Sequence, residues 1–316
     1  MKFLVLGAGG QVGFELMRAL VPLGEVIAAT RDGSGHTVDA DLARADSLAR
    51  ALDAIAPDIV VNAAAYTAVD RAEDEPELAD RINHRAVAEI GAWAAKSGVG
   101  VVHYSTDYVF DGTATHPYRE TDPTAPIGVY GRTKRDGENA LQASGARHLI
   151  LRAAWVYAAR GRNFLLTMLR LARERDELRV VDDQIGAPTP ARLIADATAE
   201  ALASWHVSLE TRDARFDGIH HLASAGQCSW CDFATAIVHG ATVRGLIERA
   251  PAVVPIRTSD YPTRARRPAY SVLDTERLAG AFGLQLPDWR AGLESVLDEL
   301  ATPRTPVQGQ DSMGAL

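Results

Sequence analysis

The stretch YGRTK places Tyr130 and Lys134 four residues apart. On a helix, positions i and i+4 share one face, roughly 5–6 Å apart at Cβ. A free phenol, with a pKa of about 10, is a poor proton donor at neutral pH. A neighbouring ammonium favours the phenolate and brings that value down. The pair therefore suits proton delivery to a carbonyl under reduction. The lysine can also hydrogen-bond a nicotinamide ribose. This spacing recurs on solvated helix faces, so a second feature has to lift it. STDYVFDG (105–112) does so, because Thr106 stands 24 residues before Tyr130 at the end of an apolar run. Its hydroxyl falls at the C-terminal edge of a sheet, where such folds bind ligands.

A second cluster points to a dinucleotide. GAGGQVG (7–13) joins an apolar run to a helical pattern and matches G-x-x-G-x-x-G with Gly7, Gly10 and Gly13. Glycines permit a tight turn and close approach of a pyrophosphate, and the helix start at Gln11 and Val12 supplies free N–H groups. The end of the second strand selects the cofactor. A basic group there holds the 2′-phosphate of NADP, and a carboxylate holds the ribose of NAD. Arg31 leans toward NADPH, while the following Asp32 leaves NADH open. Asp41 and Leu42 fall where a carboxylate can meet the adenine amino group. Asn62, Ala63, Ala64 and Ala65 would lie along the cofactor, the small side chains leaving room for it. Arg267, with Arg264 and Arg266, forms a basic cluster whose guanidinium suits a nucleotide diphosphate. For Arg31 and Arg267 the plainer alternative is a solvated loop charge; for Asn62 it is a turn residue.

The elements that must position these groups alternate in period. KFLVLG (2–7), EVIAAT (25–30), DIVVNAAA (58–65), VGVVHYST (99–106) and HLILRAAWVY (148–157) read as strands, the first and third as buried ones. Helical spacing falls at 11–24, 47–57 and 77–98. Strand and helix in alternation predict right-handed βαβ units and an α/β, doubly wound parallel sheet. Later helices are expected at 163–175, 193–205, 230–241 and near 289–300, with a strand and a turn-rich loop over 178–191 and a strand at 216–224. The expected organisation is a cofactor domain over 1–157, with segments near 188–224 returning to it. Residues 158–301 form a smaller C-terminal lobe for substrate, and 302–316 a flexible tail.

Composition bounds the rest. The 316 residues are 47% hydrophobic and carry a net charge of −8, which argues against nucleic-acid or anionic-membrane partners. No signal sequence and no bilayer-length apolar run is read, so a cytoplasmic protein is expected. Cys228 and Cys231 are too few for a disulfide framework. With the adjacent His220 and His221 they do not make a zinc set, since neighbours on a strand point to opposite faces.

In these motifs the chain resembles the extended short-chain dehydrogenase/reductases, and among them the dTDP-4-dehydrorhamnose reductases. The resemblance spans about 1–300. It runs through GAGGQVG, NAAAYTAVDRAE (62–73), STDYVFDG, PYRETDPTAPIGVYGRTKRDGE (117–138), RAAWVY (152–157), DDQIGAPT (182–189) and RPAYSVLD (267–274). It implies a Rossmann-type fold and reduction, by NADPH or NADH, of the 4-keto group of dTDP-6-deoxy-L-lyxo-4-hexulose to dTDP-L-rhamnose. Thr106, Tyr130 and Lys134 would be catalytic, and Val69, Asp107, Tyr108 and Trp155 would lie near the dTDP-sugar. Some relatives hold a divalent ion at a dimer contact. Glu15 has a matching place, but no second acidic ligand is found, so Mg2+ and a homodimer stay open and no metal ligands are assigned. A ketoreductase for another dTDP-deoxysugar, or an NADP-binding regulatory subunit without turnover, remain the alternatives.

Overall fold

The computed structural model describes residues 1–35, 37–211 and 216–302; the expected tail lies outside them from residue 303. Strands β1 (Lys2–Leu6), β2 (Glu25–Thr30), β3 (Val38–Asp39), β4 (Ile59–Asn62), β5 (Gly100–Thr106) and β6 (His148–Ala153) join Gly218–His221 in one sheet. Its order is Gly218–His221, β6, β5, β4, β1, β2, β3, with every neighbour parallel. The chain runs outward from β1 to β3, returns, and runs outward again from β4. The crevice between the C-terminal ends of β1 and β4 is the switch point at which such sheets bind ligands.

The apolar runs follow from burial on both faces. Phe3, Val5 and Val61 pack into one layer, and Leu4, Leu6 and Val60 into the other. The helix Ala191–Thr211 lays Ile194, Ala195, Leu202 and Trp205 on the first of these layers. A separate core gathers Tyr157, Leu165, Leu169, Phe233, Ile237 and Trp289. Here Glu177–Val181 pairs in parallel with Ala252–Ile256.

Two expected elements are interrupted. The helix expected over 77–98 is built of Pro76–Asp80 and Ala86–Ser97 joined by a π turn, Arg81–Arg85. Within that turn Asn83 hydrogen-bonds Tyr66 through backbone groups at 2.8 and 3.1 Å and the Thr133 hydroxyl at 3.2 Å. The strand expected over 148–157 ends at Ala153, and Val156–Tyr157 pairs instead with Thr189–Pro190. The cause is Trp155, whose φ of +47° cannot continue an extended strand.

Glycines set the closest contacts. Gly7 has a φ of +77° and donates its N–H to the Ala29 carbonyl at 3.0 Å, crossing from β1 beneath the helix start. A Cβ on Gly13 would stand 2.1 Å from the Gly7 oxygen, so the helix Gln11–Ala19 can lie against the turn only with glycine there. A Cβ on Gly10 would keep 3.2 Å from the same oxygen. Gly13→Ala should therefore cost about 1–3 kcal/mol through overpacking, and Gly10→Ala distinctly less. Urea unfolding of both variants checks this, and equal midpoints would contradict the packing role of Gly13.

Candidate active site

Tyr130 and Lys134 ride on the helix Val129–Ala143. Gly128 offers no capping side chain; Glu73 reaches over and accepts the Val129 N–H at 2.8 Å. The helix presses close to its neighbours. Added Cβ atoms on Gly131 and Gly137 would meet the Tyr108 and Asn83 carbonyl oxygens at 2.1 Å each. One turn beyond Lys134, Glu138 accepts two hydrogen bonds from the Arg152 guanidinium on β6, at 2.9 and 2.7 Å. Both side chains are about 2% exposed or less, so the pair is fully desolvated and breaking either partner is costly.

Tyr130 stands edge-on to Tyr108, ring centres 5.6 Å apart at 73°. Burial pushes its phenol up to about 12, opposed by the Thr106 hydroxyl. The sequence expectation of a phenol lowered by a neighbouring ammonium is corrected here. Lys134 donates instead to the Tyr104 carbonyl at 2.5 Å and lies 3.3 Å from His103 Nε2. Burial holds the lysine down at about 8, with Glu138 pulling the other way. The phenol is thus a proton-bearing donor throughout the neutral range.

Thr106 ends β5 and accepts the Tyr108 N–H at 3.2 Å, while its hydroxyl donates to Asp107 at 2.8 Å. Burial raises the Asp107 carboxyl to about 6. Thr106, Asp107, Tyr108, Tyr130 and Lys134 all face one cleft of about 880 Å³. Val69, at the start of a short helix, and Trp155 close its other wall.

The same cleft runs back to the glycine turn. Gly7, Gly10, Gln11 and Val12 line it, and Ala63, Ala64 and Ala65 form its floor. Arg31, Asp41 and Leu42 line its far end. The Asp41 carboxylate is engaged by the Ala43 N–H at 3.0 Å and by Arg44 at 3.2 Å. Asp32 is turned onto its own loop, accepting from Thr30 and the Ser34 N–H at 3.2 Å each. Arg31 has no ion-pair partner among the described residues.

Three expected site residues are not on the wall. Gly13 is packed under the turn. Asn62 is 1% exposed and bonded to His103 and to the Ala64 N–H. Arg267 spends its fork on Asp70, at 2.8 and 3.3 Å, rather than offering it to the cleft. Conversely, Trp230, Thr67, Tyr104, Ser105 and Arg162 line the cleft although the sequence did not single them out. Trp230 stacks face to face on Trp155 at 3.5 Å and 2°. Gly186 makes room for that stack, since a Cβ there would stand 2.4 Å from the Trp155 indole. The signal for Trp230 was its place at a helix start, after Ser229 in a capping box with Asp232. Cys228 and Cys231 are buried thiols, the former pushed up to about 12 by burial.

Residues 1–302 match the family described as the RmlD substrate binding domain. The chain belongs to this family. It is 52% identical to a dTDP-4-dehydrorhamnose reductase of Burkholderia thailandensis over 92% of this chain and 96% of the relative. It is 47% identical to the Escherichia coli K12 reductase of the same name, over 96% and 99%. Among solved structures it is similar to a dTDP-4-dehydrorhamnose reductase of Clostridium acetobutylicum, at TM-score 0.83 and 35% identity, covering 96% of this chain and 100% of that one. The Bacillus anthracis reductase, solved in complex with NADP, follows at TM-score 0.80 and 32% identity, covering 94% and 99%. No helix among the described residues is long and apolar enough to cross a membrane.

The lysine carries a stability prediction. Its folded-state value, about 8, lies below its ordinary 10.5. Between those values the unfolded chain binds the extra proton, so stability rises with pH across that window and is lowest below it. Lys134→Met should therefore raise unfolding free energy at pH 7 by about 1–2 kcal/mol, and should flatten the rise above pH 8. Denaturant titrations at both ends of the window check it; a less stable variant at pH 7 would contradict the buried-cation account.

Proposed function

We propose that the protein is an NADPH-dependent ketoreductase that reduces the 4-keto group of dTDP-6-deoxy-L-lyxo-4-hexulose to dTDP-L-rhamnose. The carrying observation is the convergence of Thr106, Tyr130 and Lys134 on one cleft whose other end is the glycine turn. The relatives of the preceding subsection carry the same reductase name over nearly their whole length.

The residues present fit the dinucleotide. The helix Gln11–Ala19 opens at Gly10 without a side-chain cap, which leaves its first N–H groups for a pyrophosphate. The alanine floor leaves space beside it. Arg31, free of carboxylates while Asp32 is occupied, favours the 2′-phosphate of NADPH over the ribose of NADH. When bound, the cofactor supplies hydride to the carbonyl carbon. Tyr130 delivers its hydroxyl proton to the carbonyl oxygen. With substrate bound, Thr106 turns its hydroxyl from Asp107 to donate to the same oxygen, polarising it and placing it beside the phenol. Lys134, one turn along the same helix, anchors the ribose. Asp107 and Tyr108 hold the sugar, and Trp155 with Trp230 forms an apolar wall that keeps water off the reacting carbon. Arg267 acts through Asp70, bracing the short helix that presents Val69.

Mixing the protein with NADPH and the keto-sugar should remove the reduced-nicotinamide absorbance and yield dTDP-L-rhamnose. Retained absorbance with NADPH bound would overturn this reading in favour of another keto-sugar or a subunit without turnover. Tyr130→Phe should lower turnover by about 10²–10⁴-fold and leave NADPH affinity nearly unchanged; undiminished turnover would refute the acid assignment. Gly10→Val should abolish NADPH binding, read by cofactor fluorescence, in a protein that still folds.

A further inference from the structure

Behind Lys134 lies a buried chain of hydrogen bonds that neither the substrate nor the cofactor assignment uses. It begins at a backbone group. The Ala64 N–H donates to Asn62 Oδ1 at 3.2 Å, which fixes the carboxamide so that its NH2 faces β5. That NH2 lies 3.1 Å from His103 Nδ1. An amide NH2 is only a donor, so Nδ1 must accept, and the neutral ring carries its proton on Nε2. Nε2 in turn stands 3.3 Å from Lys134 Nζ. His103 is fully buried, so the ring has no solvent in which to turn away.

We propose that His103, its tautomer fixed by Asn62, presents an N–H to Lys134 and makes this lysine a proton-exchanging group rather than a fixed cation. An ammonium has no lone pair, so it meets the His103 N–H donor to donor and keeps only the Tyr104 carbonyl, at 2.5 Å. The neutral amine has a lone pair that accepts the His103 N–H, while one of its own N–H groups still serves Tyr104. The histidine therefore favours proton release. One partner opposes it, the Glu138 carboxylate, which favours the cation. On the lysine's own helix, Glu138 is claimed by Arg152 from β6, and Tyr130 is an uncharged phenol. His103 itself is held well below its ordinary range by burial, with Lys134 and His148 adding to the effect. Burial lowers the lysine's own value independently of the histidine.

The consequence rests on the proposed reduction. After Tyr130 gives its proton to the carbonyl oxygen, the Lys134 ammonium passes one proton to the phenolate. The amine so formed accepts the His103 N–H until a solvent hydronium or buffer acid returns the proton, which restores the starting charge. His103 and Asn62 do not line the cleft and act as positioning residues.

The tautomer is tested in the protein without ligand. Long-range 1H–15N spectra of histidine-labelled protein, with His103→Gln for assignment, should show a neutral ring protonated at Nε2. A ring protonated at Nδ1, or charged near its ordinary pKa of about 6.5, would overturn the proposal whatever the protein's activity. The second readout is the pH dependence of NADPH affinity and of turnover. Asn62→Asp accepts an Nδ1 proton, so Nε2 then offers its lone pair to the ammonium. His103→Gln can turn its oxygen to Lys134. Both variants should move the alkaline break upward by about one pH unit or more. An unmoved break over a lowered plateau would assign His103 a structural role only and overturn the proposal. A protein that fails to bind NADPH would instead count against the functional reading, with the tautomer still decided by the spectra.

Discussion

The site depends on one contact: the helix Val129–Ala143 pressed to backbone distance against the rest of the cofactor-binding layers. Gly131 lies on the Tyr108 carbonyl and Gly137 on the Asn83 carbonyl, and neither tolerates a Cβ. The buried Arg152–Glu138 pair locks the same helix to β6. Together they fix the height and rotation at which Tyr130 and Lys134 enter the cleft. A half-ångström change there would misplace the acid relative to Thr106, and positional errors of that order already cost rate. The ion pair also ties the Glu138 charge to Arg152, so that carboxylate only partly offsets the burial of the Lys134 cation.

That weak compensation ties stability to chemistry. A buried ammonium with only a carbonyl to bond is a cost to folding. The same poverty of partners lets its proton move. The phenol beside it is raised by burial, so it holds a proton until an oxyanion forms. A site with a strong carboxylate beside Lys134 would be more stable and would fix the charge permanently.

Much of this was legible in the sequence. Continuous apolar runs announced β1 and β4, because strands covered on both faces need no alternation. Tyr130 and Lys134 announced themselves because i and i+4 is a local relation. Contacts between distant segments were not legible. Arg267 looked like a free phosphate ligand, yet its partner Asp70 lies 197 residues earlier. Trp155 fell inside an expected strand, but its left-handed backbone breaks that strand and turns the indole onto Trp230. Asn62 looked like a wall residue because it ends a strand, yet its side chain points inward to His103. His103 gave no signal, being one polar residue within VVHYST on a buried strand. Only the pairing of β4 with β5, Asn62 opposite His103, brings out its place.

The central claim is hydride delivery to a sugar carbonyl with Tyr130 as the acid. Its most direct measurement is isotopic. NADPH carrying deuterium at both C4 positions of the nicotinamide is incubated with the protein and the dTDP-4-keto sugar, and the product is examined by mass and NMR. The account predicts dTDP-L-rhamnose with a single deuteron, bonded to sugar C4. Product without that deuteron, or deuterium at any other sugar carbon, would contradict it.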